Sequence, residues 1–342
     1  MDAGLTVYQL CYTLQAREPL ELEQHPGSAL RGSLFTALWE RFCVNKEAVE
    51  CAACPLVQTC PVSALVAPLR DAGPRGRDIP RPFVVRPPLL AAGDAAGHAM
   101  RWEVGQSLML GQTLVGTAGK LFPYVVMAAR AMEDNGLGRA LRENRGRRGR
   151  FVIERIEAVH PFTEARATLF ERGEMRVRPP ALAIGAPDVA ARAATLSEEG
   201  VSLHFLTPTR LTEAGQLVHG PQPAVLLRRL AERIDALEEV YSGAHASFLS
   251  ASESVDAPRG TGRWYAVAAT ADLQMREHAV RWMDAKSYSS RQRRALPIGG
   301  FIGTATYRGT LSLALRELLV WGELLNVGKN TVKGDGWYQI EA

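Results

Sequence analysis

The stretch LSLALRELLVWGELLNVGKNTVKGDGWYQI (Leu311–Ile340) carries the clearest sign of the fold of this chain. Leu311–Leu325 is predicted to be a helix, and Trp337–Ile340 is predicted to be a short strand. Between them, Gly328–Gly336 is rich in glycine and lysine. A helix followed by a final strand is the end of a βαββαβ unit.

The preceding residues supply the rest of this unit. The predicted helix Ala224–Tyr241 has Leu227, Leu230, Ile234 and Leu237 on one face and charged residues opposite, as an amphipathic helix does. The other predicted elements of this half are the strands Val201–Leu211, Gln274–Met283 and Ile298–Tyr307. The order strand, helix, strand, strand, helix, strand is that of a ferredoxin-like domain.

The first half of the chain repeats this order. Its first helix, Ser28–Val44, has Leu30, Leu34, Leu38 and Phe42 along one face. We therefore predict an α+β protein with two tandem ferredoxin-like (βαββαβ, RRM-like) domains, 1–160 and 201–342, joined by a linker or irregular insertion at 161–200. The other predicted elements of the first half are the strands Leu5–Gln15, Phe83–Arg86, Trp102–Val115 and Arg150–His160 and the helix Ala118–Asn135.

The composition limits the class of protein. The chain has 342 residues, of which 46% are hydrophobic and 22% charged, so it can bury substantial cores and is not intrinsically disordered. No apolar run approaches the ~20 residues of a membrane helix, and the amino-terminal MDAGLTVYQLCYTL lacks the basic start of a secretory signal. The net charge of +4 permits nucleic acid binding without requiring it. We expect a cytoplasmic protein.

Four of the five cysteines lie close together, as C-x7-C-x2-C-x5-C within residues 43–60. Two thiolates separated by two residues can turn onto one metal ion, and two more complete a tetrahedral set. We expect a structural metal site with zinc as the default ion. A [4Fe–4S] cluster is the alternative, because prolines follow two of the cysteines as in iron–sulfur sequences, and chance clustering in a loop stays open. The expected ligands are Cys43, Cys51, Cys54 and Cys60, whereas Cys11 is predicted to be a core residue.

Two glycine- and base-rich segments each precede the last strand of their half. Gly136–Arg150 contains six arginines, and Gly328–Gly336 contains two lysines. Glycine lets a backbone approach a phosphate and present its N–H groups, and arginine and lysine neutralise charge. A solvated basic loop would have the same composition, but two such segments at equivalent places favour RNA binding. A third basic stretch, Ser287–Gly300, places arginines beside Tyr288, which suits phosphate contact and base stacking. A hairpin turn would explain that stretch equally well.

Several stretches of the chain resemble the CRISPR-associated endoribonucleases that process repeat RNA, which are members of the RAMP superfamily. The resemblance is strongest near the carboxyl terminus. There Gly334-Asp335-Gly336-Trp337 follows the family's glycine-rich pattern, except that Asp335 is acidic where a neutral or basic residue is usual. The matching stretches are Ser28–Leu34, Cys51–Pro61, Gly136–Phe151, Tyr288–Thr304 and Val327–Tyr338.

This resemblance implies metal-independent cleavage of precursor CRISPR RNA within its repeats, followed by retention of the product and assembly with other CRISPR effector-complex subunits. The ribose 2′-OH attacks the adjacent phosphate and leaves 2′,3′-cyclic phosphate and 5′-OH ends. The position that matches the family's catalytic histidine is His25, and His160 is the second candidate. His25 as a loop residue that leads into a helix is the non-catalytic interpretation. Tyr288 and Lys329 are the other catalytic candidates. The residues expected to bind RNA are Arg31, Arg139, Arg142, Arg145, Arg147, Arg148, Arg150, Arg291, Arg293, Arg294, Gly328, Lys329, Lys333, Gly334 and Gly336.

Two other functions stay open at the level of sequence. The same fold and the same basic loops would suit a non-catalytic RNA-binding subunit of a CRISPR effector complex, in which His25 is only structural. The cysteines would also suit a redox or sensing protein that depends on an iron–sulfur cluster.

Overall fold

The computed structural model describes residues 4–69, 79–89, 99–174, 176–242, 262–289 and 294–341. The chain divides into two units, Met1–Ile184 with Val240–Ser254 (unit 1) and Gly185–Glu239 with Val255–Ala342 (unit 2). Each unit contains its own antiparallel sheet.

Unit 1 is built on a five-stranded antiparallel sheet with the order β3-β5-β1-β8-β9. Its first four members follow the ferredoxin-like order, because the first strand lies between the third and the fourth. Two small ribbons, β2-β4 and β6-β7, accompany the sheet. The strands are β1 (Val7–Ala16), β2 (Leu20–Leu22), β3 (Phe83–Arg86), β4 (Met100–Trp102), β5 (Ser107–Val115), β6 (Leu137–Leu141), β7 (Arg147–Gly149), β8 (Phe151–Val159) and β9 (Arg166–Glu171).

The helices of unit 1 bury the apolar stripes that the sequence predicts. Leu30, Leu34 and Leu38 of the first helix are buried, whereas Phe42 is half-buried and packs edge-to-face against Tyr124. Alternate β1 residues are buried because one face of the strand points to the core. The helices are α1 (Gly27–Phe42), α2 (Pro61–Val66) and α3 (Phe122–Asn135), and 3-10 turns occur at Cys51–Ala53 and Gly116–Leu121.

Unit 2 has a four-stranded antiparallel sheet with the order β13-β16-β10-β17, which is again the ferredoxin-like order. Two ribbons, β11-β12 and β14-β15, extend from it. The strands are β10 (Gly200–Thr209), β11 (Leu211–Glu213), β12 (Gln216–Val218), β13 (Leu273–Met283), β14 (Lys286–Ser289), β15 (Arg294–Pro297), β16 (Gly300–Gly309) and β17 (Tyr338–Glu341).

The last helix of unit 2 is tied to the final strand. The Tyr338 hydroxyl donates to the carbonyl oxygen of Leu319 at 2.7 Å, and the Ile340 N–H donates to Glu323 Oε1 at 3.0 Å. Leu227, Leu230, Ile234 and Leu237 of the longest helix are buried as predicted. No helix in the described ranges is long and apolar enough to cross a membrane. The helices are α4 (Ala186–Ala194), α5 (Pro223–Tyr241), α6 (Arg263–Ala269) and α7 (Leu313–Leu325), and a 3-10 turn covers Thr331–Lys333.

Two expectations about local structure are wrong. The segment 161–200 is not an irregular linker: β9 adds a fifth strand beside β8, and α4 begins where the Gly185 N–H donates to the Asp188 carboxylate at 2.8 Å. The predicted strand Trp102–Val115 begins later, as β5 at Ser107, because Trp102 ends β4 and the chain turns at Gly105 with φ +86°. Periodicity identified the remaining sheet strands to within a few residues.

Candidate functional site

The first helix begins without a side-chain cap. Pro26 occupies the N-cap position, and His25 lies directly before it at intermediate exposure. The hydroxyl oxygen of Ser28 is buried and has no hydrogen-bond partner among the described residues. Since the first N–H groups of a helix carry partial positive charge and need acceptors, this end of α1 is chemically suited to an anion, with a histidine beside it.

Arg31, one turn further along α1, is partly shielded from water and has its guanidinium 5.3 Å from the centre of the Phe35 ring. Burial lowers the pKa of Arg31 to about 10, and the nearby positive charge of Arg81 acts in the same direction. Arg31 therefore stays protonated at neutral pH. The charge of Arg81 is near enough to act on Arg31, which adds Arg81 to the residues that attract a phosphate to this unit.

His160, the second candidate for the catalytic histidine, is less accessible than His25. His160 at the end of β8 is only 6% exposed and packs edge-to-face with Phe162. Its backbone N–H donates to the carbonyl oxygen of Ala165 at 2.9 Å, within the turn that leads to β9. A buried ring in a tight turn is suited to packing, whereas His25 is partly accessible, so the structure favours His25 of the two.

The arginine-rich segment forms the β6-β7 hairpin, which packs against Pro19–Leu22. Glycines permit this close approach: a Cβ at Gly138 would lie 2.0 Å from the Glu21 carbonyl oxygen, and one at Gly149 would lie 2.4 Å from that of Pro19. The Asn144 amide, which is buried, donates to the same Pro19 oxygen at 2.8 Å. The hairpin therefore holds its exposed arginines on a fixed backbone.

The six arginines divide into two groups. Arg147 and Arg150 approach Glu18 at 3.6 and 3.0 Å, and Arg139 approaches Glu21 at 3.0 Å. The hydrogen bond from Arg150 lowers the pKa of Glu18. The other three are exposed and form no ion pair with any described carboxylate, so their charge is available for phosphate contact: Arg142, Arg145 and Arg148.

In unit 2 the glycine-rich loop Gly328–Gly336 is held by the end of β10. The Thr207 hydroxyl donates to the Gly334 carbonyl oxygen at 2.7 Å and accepts from the Trp337 N–H at 2.9 Å. The Gly336 N–H donates to the Pro208 oxygen at 3.0 Å. Gly336 has φ +71°, and a Cβ there would lie 1.8 Å from the Val327 oxygen. Glycine is required because no side chain fits.

These hydrogen bonds also show which groups of the loop are used within the protein and which are exposed. The N–H groups of Gly334 and Gly336 already donate to Thr331 and Pro208, so these two glycines shape the loop rather than offering free N–H groups. Asp335, which departs from the family pattern, is fully buried, so its side chain does not face solvent on the loop surface. Lys329 is exposed on the loop.

The glycine-rich loop and the third basic stretch come together in unit 2. The Lys333 ammonium donates to the Ser287 hydroxyl at 3.0 Å. Ser287 precedes Tyr288 on β14, and the Tyr288 backbone is paired with Ala295 on β15. Arg294, at the start of β15, is exposed. Arg291 and Arg293 lie outside the described residues. The sequence singled out both stretches separately, but no local pattern indicated the contact through Ser287 or the anchor at Thr207.

The four-cysteine metal site is not present as a formed cluster. The described residues contain no group of three or more His, Cys, Asp and Glu side chains arranged to hold a metal ion. Cys43, Cys51, Cys54 and Cys60 are nevertheless free thiols at intermediate exposure. Burial raises the pKa of the Cys51 thiol, and the other three thiols, being close enough to repel its charge, raise it further.

Residues 203–338, which include the glycine-rich loop, match the family model described as CRISPR-associated endoribonuclease Cas6, and residues 5–182 match a model described as an N-terminal domain. This match identifies residues 203–338 as a Cas6 domain of the CRISPR-associated endoribonuclease type. The resemblance drawn from its sequence motifs is thereby confirmed. No curated protein sequence matches the chain.

Solved Cas6 structures have the same fold. A product complex of Cas6 from Thermus thermophilus aligns with a TM-score of 0.53 at 16% identity, over 98% of this chain and 99% of that one. A second Cas6 product complex gives 0.51 at 17% identity, over 98% and 100%. A partial Cas6-RT-Cas1–Cas2 complex gives 0.57 at 10% identity, over 99% of this chain and 46% of that one. At such identities the likeness establishes the fold alone.

Backbone geometry predicts unequal effects of two glycine substitutions, one at Gly336 in the glycine-rich loop and one at Gly215 in the turn between β11 and β12. Gly215→Ala meets no atom within 4 Å and only has to adopt φ +82°, so it should cost about 1–2 kcal/mol. Gly336→Ala has a similar φ and in addition clashes with Val327, so it should cost about 3 kcal/mol or more. Urea unfolding of both variants measures the difference. Equal losses would show that close packing of the loop against Val327 does not constrain the protein.

Proposed function

We propose that this chain cleaves precursor CRISPR RNA within each repeat by attack of the ribose 2′-OH on the adjacent phosphate. The O2′–P bond forms and the P–O5′ bond breaks, which leaves a 2′,3′-cyclic phosphate and a 5′-OH. The observation that carries this proposal is the Cas6 match over residues 203–338. Repeat RNA as substrate is further supported by the product complexes among the similar structures.

The chemistry requires a base, an acid and cations, all of which amino-acid side chains supply, so we propose that no metal ion takes part. His25 is proposed to remove the 2′ proton or to protonate the 5′ oxygen, because histidine titrates near neutrality. The uncapped start of α1 and the Arg31 guanidinium lie in the same unit as His25. They support its proposed role because they provide positive charge for the phosphate. Tyr288 and Lys329 stay predicted donors to the phosphate.

RNA binding is proposed to involve the arginine hairpin of unit 1 and the glycine-rich loop of unit 2. Exposed cations held on rigid backbones support this role, since phosphate contacts supply most of the affinity for nucleic acid. Retention of the cleaved RNA and assembly with other CRISPR proteins are part of the same proposal. The Cas6-RT-Cas1–Cas2 complex among the similar structures supports the second of these.

The nuclease proposal predicts cleavage of a labelled repeat RNA in EDTA, with cyclic phosphate at the new 3′ end. His25→Ala should lower the single-turnover rate by about 10²–10⁴-fold while leaving the affinity for RNA unchanged. His278→Ala is the matched control, because His278 is an exposed histidine on β13. This variant should cleave the RNA at the wild-type rate.

Three results would contradict parts of this proposal. Cleavage that requires Mg²⁺ would contradict the metal-independent mechanism. An undiminished rate in His25→Ala would remove the catalytic role from that residue. Tight binding with no cleavage by the wild type across a panel of repeat RNAs would instead favour the non-catalytic RNA-binding subunit.

We predict that the hairpin arginines without an ion pair to a described carboxylate are the ones that bind RNA. Replacing Arg142, Arg145 and Arg148 by Ala should weaken binding and flatten the slope of log K against log salt by about 2, which is roughly 0.7 for each phosphate contact on single-stranded RNA. The control replaces Arg155, Arg166 and Arg178, which are exposed or half-exposed but pair with carboxylates at 3.1–3.2 Å. Both triple variants lose the same charge, so equal slopes would contradict a specific role for the hairpin.

A further inference from the structure

The segment Cys43–Cys60, here named the cysteine segment, joins α1 to α2 and contacts α1 through Lys46, whose ammonium donates to the Glu40 carbonyl oxygen at 3.2 Å. Its only regular structure is the 3-10 turn Cys51–Ala53. Val44 and Val49 are 82% and 97% exposed, so the segment has no apolar core of its own. A connection of this length without secondary structure or a core is uncommon in a folded domain unless it has a function or a cross-link.

The four cysteines occupy the structurally defined points of this segment. Cys43 is the C-cap of α1 and Cys60 is the N-cap of α2. Cys51 begins the 3-10 turn and Cys54 is its C-cap, and the Cys54 N–H donates to the Cys51 oxygen at 3.1 Å. Two cysteines separated by two residues across a turn have the spacing at which two thiolates can bind one metal ion. A ligand that joins all four would therefore connect both helix ends to the turn.

A single asparagine links two of the thiols. The Cys43 thiol donates to the Asn45 carbonyl oxygen at 3.5 Å, and the Asn45 amide donates to Cys54 Sγ at 3.6 Å. The segments after α1 and after the turn are therefore neighbours. An N–H donor directed at sulfur is also the contact that stabilises a metal-bound thiolate, because it disperses the negative charge.

We propose that Cys43, Cys51, Cys54 and Cys60 bind one Zn²⁺ ion as a structural site. Each thiol loses its proton on binding, and the ion draws the four sulfur atoms to about 2.3 Å in a closed tetrahedral set. Four thiolates leave no open position for a substrate, so the ion would cross-link the ends of α1 and α2 in place of a core. Zinc binding would be coupled to folding of the cysteine segment.

The first test is the metal content of the purified chain, measured by mass spectrometry after expression without added metal. We expect about one zinc per chain. Cys43→Ser, Cys51→Ser, Cys54→Ser and Cys60→Ser should each lose it. Cys11→Ser is the matched control, since Cys11 lies on β1 beside Arg166 rather than in the cysteine segment, and it should keep the ion.

A second measurement uses the native sequence, so misfolding of a variant cannot confuse the result. Protein stripped of metal should bind Co²⁺ with the intense visible absorption of tetrahedral thiolate coordination, and Zn²⁺ should displace it. Trypsin should cut after Lys46, within the cysteine segment, several-fold faster in the stripped protein than after zinc is restored.

Three outcomes would overturn the zinc site. These are a metal-free chain with no Co²⁺ absorption, equal zinc loss in Cys11→Ser and the four variants, and the visible absorbance of an iron–sulfur cluster in protein prepared without oxygen. None of these measurements involves RNA, so the result is independent of the proposed nuclease activity.

Discussion

The glycine-rich loop depends on a row of hydrogen bonds at the end of β10. Thr207 both donates to and accepts from the loop, Pro208 accepts from Gly336, and the Arg210 carbonyl oxygen accepts from Lys329. Because Thr207 and Pro208 belong to β10, a central strand of the sheet, and Arg210 directly follows it, the loop is held firmly against the sheet. Preorganised cations lose little entropy when they bind an anion, which is what an RNA-binding loop requires.

The sequence predicted the architecture well where one physical rule decided the outcome. Apolar periodicity identified the helices around Leu30–Leu38 and Leu227–Leu237, because burial of one face dominates their stability. It failed at 161–200, where β9 is half-exposed at the sheet edge. β9 is a strand because it pairs with β8, and the local sequence pattern does not indicate this tertiary contact.

The candidate site could be predicted only in part. Residue types pointed to the arginine hairpin and the glycine-rich loop, but not to the division between arginines that pair with Glu18 or Glu21 and those that do not. That division depends on the close packing of Gly138 and Gly149 against the chain before them. Arg81 was missed because its relation to Arg31 arises only in the folded unit. The glycines of the loop were expected to present N–H groups to phosphate, but the N–H groups of Gly334 and Gly336 are bonded within the protein, which only the folded structure reveals.

The proposed mechanism makes the ribose 2′-OH the nucleophile, and one measurement tests this most directly. A repeat RNA with a single 2′-deoxy nucleotide on the 5′ side of the cleaved bond should bind with the affinity of the unmodified RNA and remain intact in single-turnover assays. A 2′-deoxy nucleotide placed one position away should be cleaved normally. Cleavage of the first RNA at the same bond would show that water or another group attacks the phosphate, and would contradict the account.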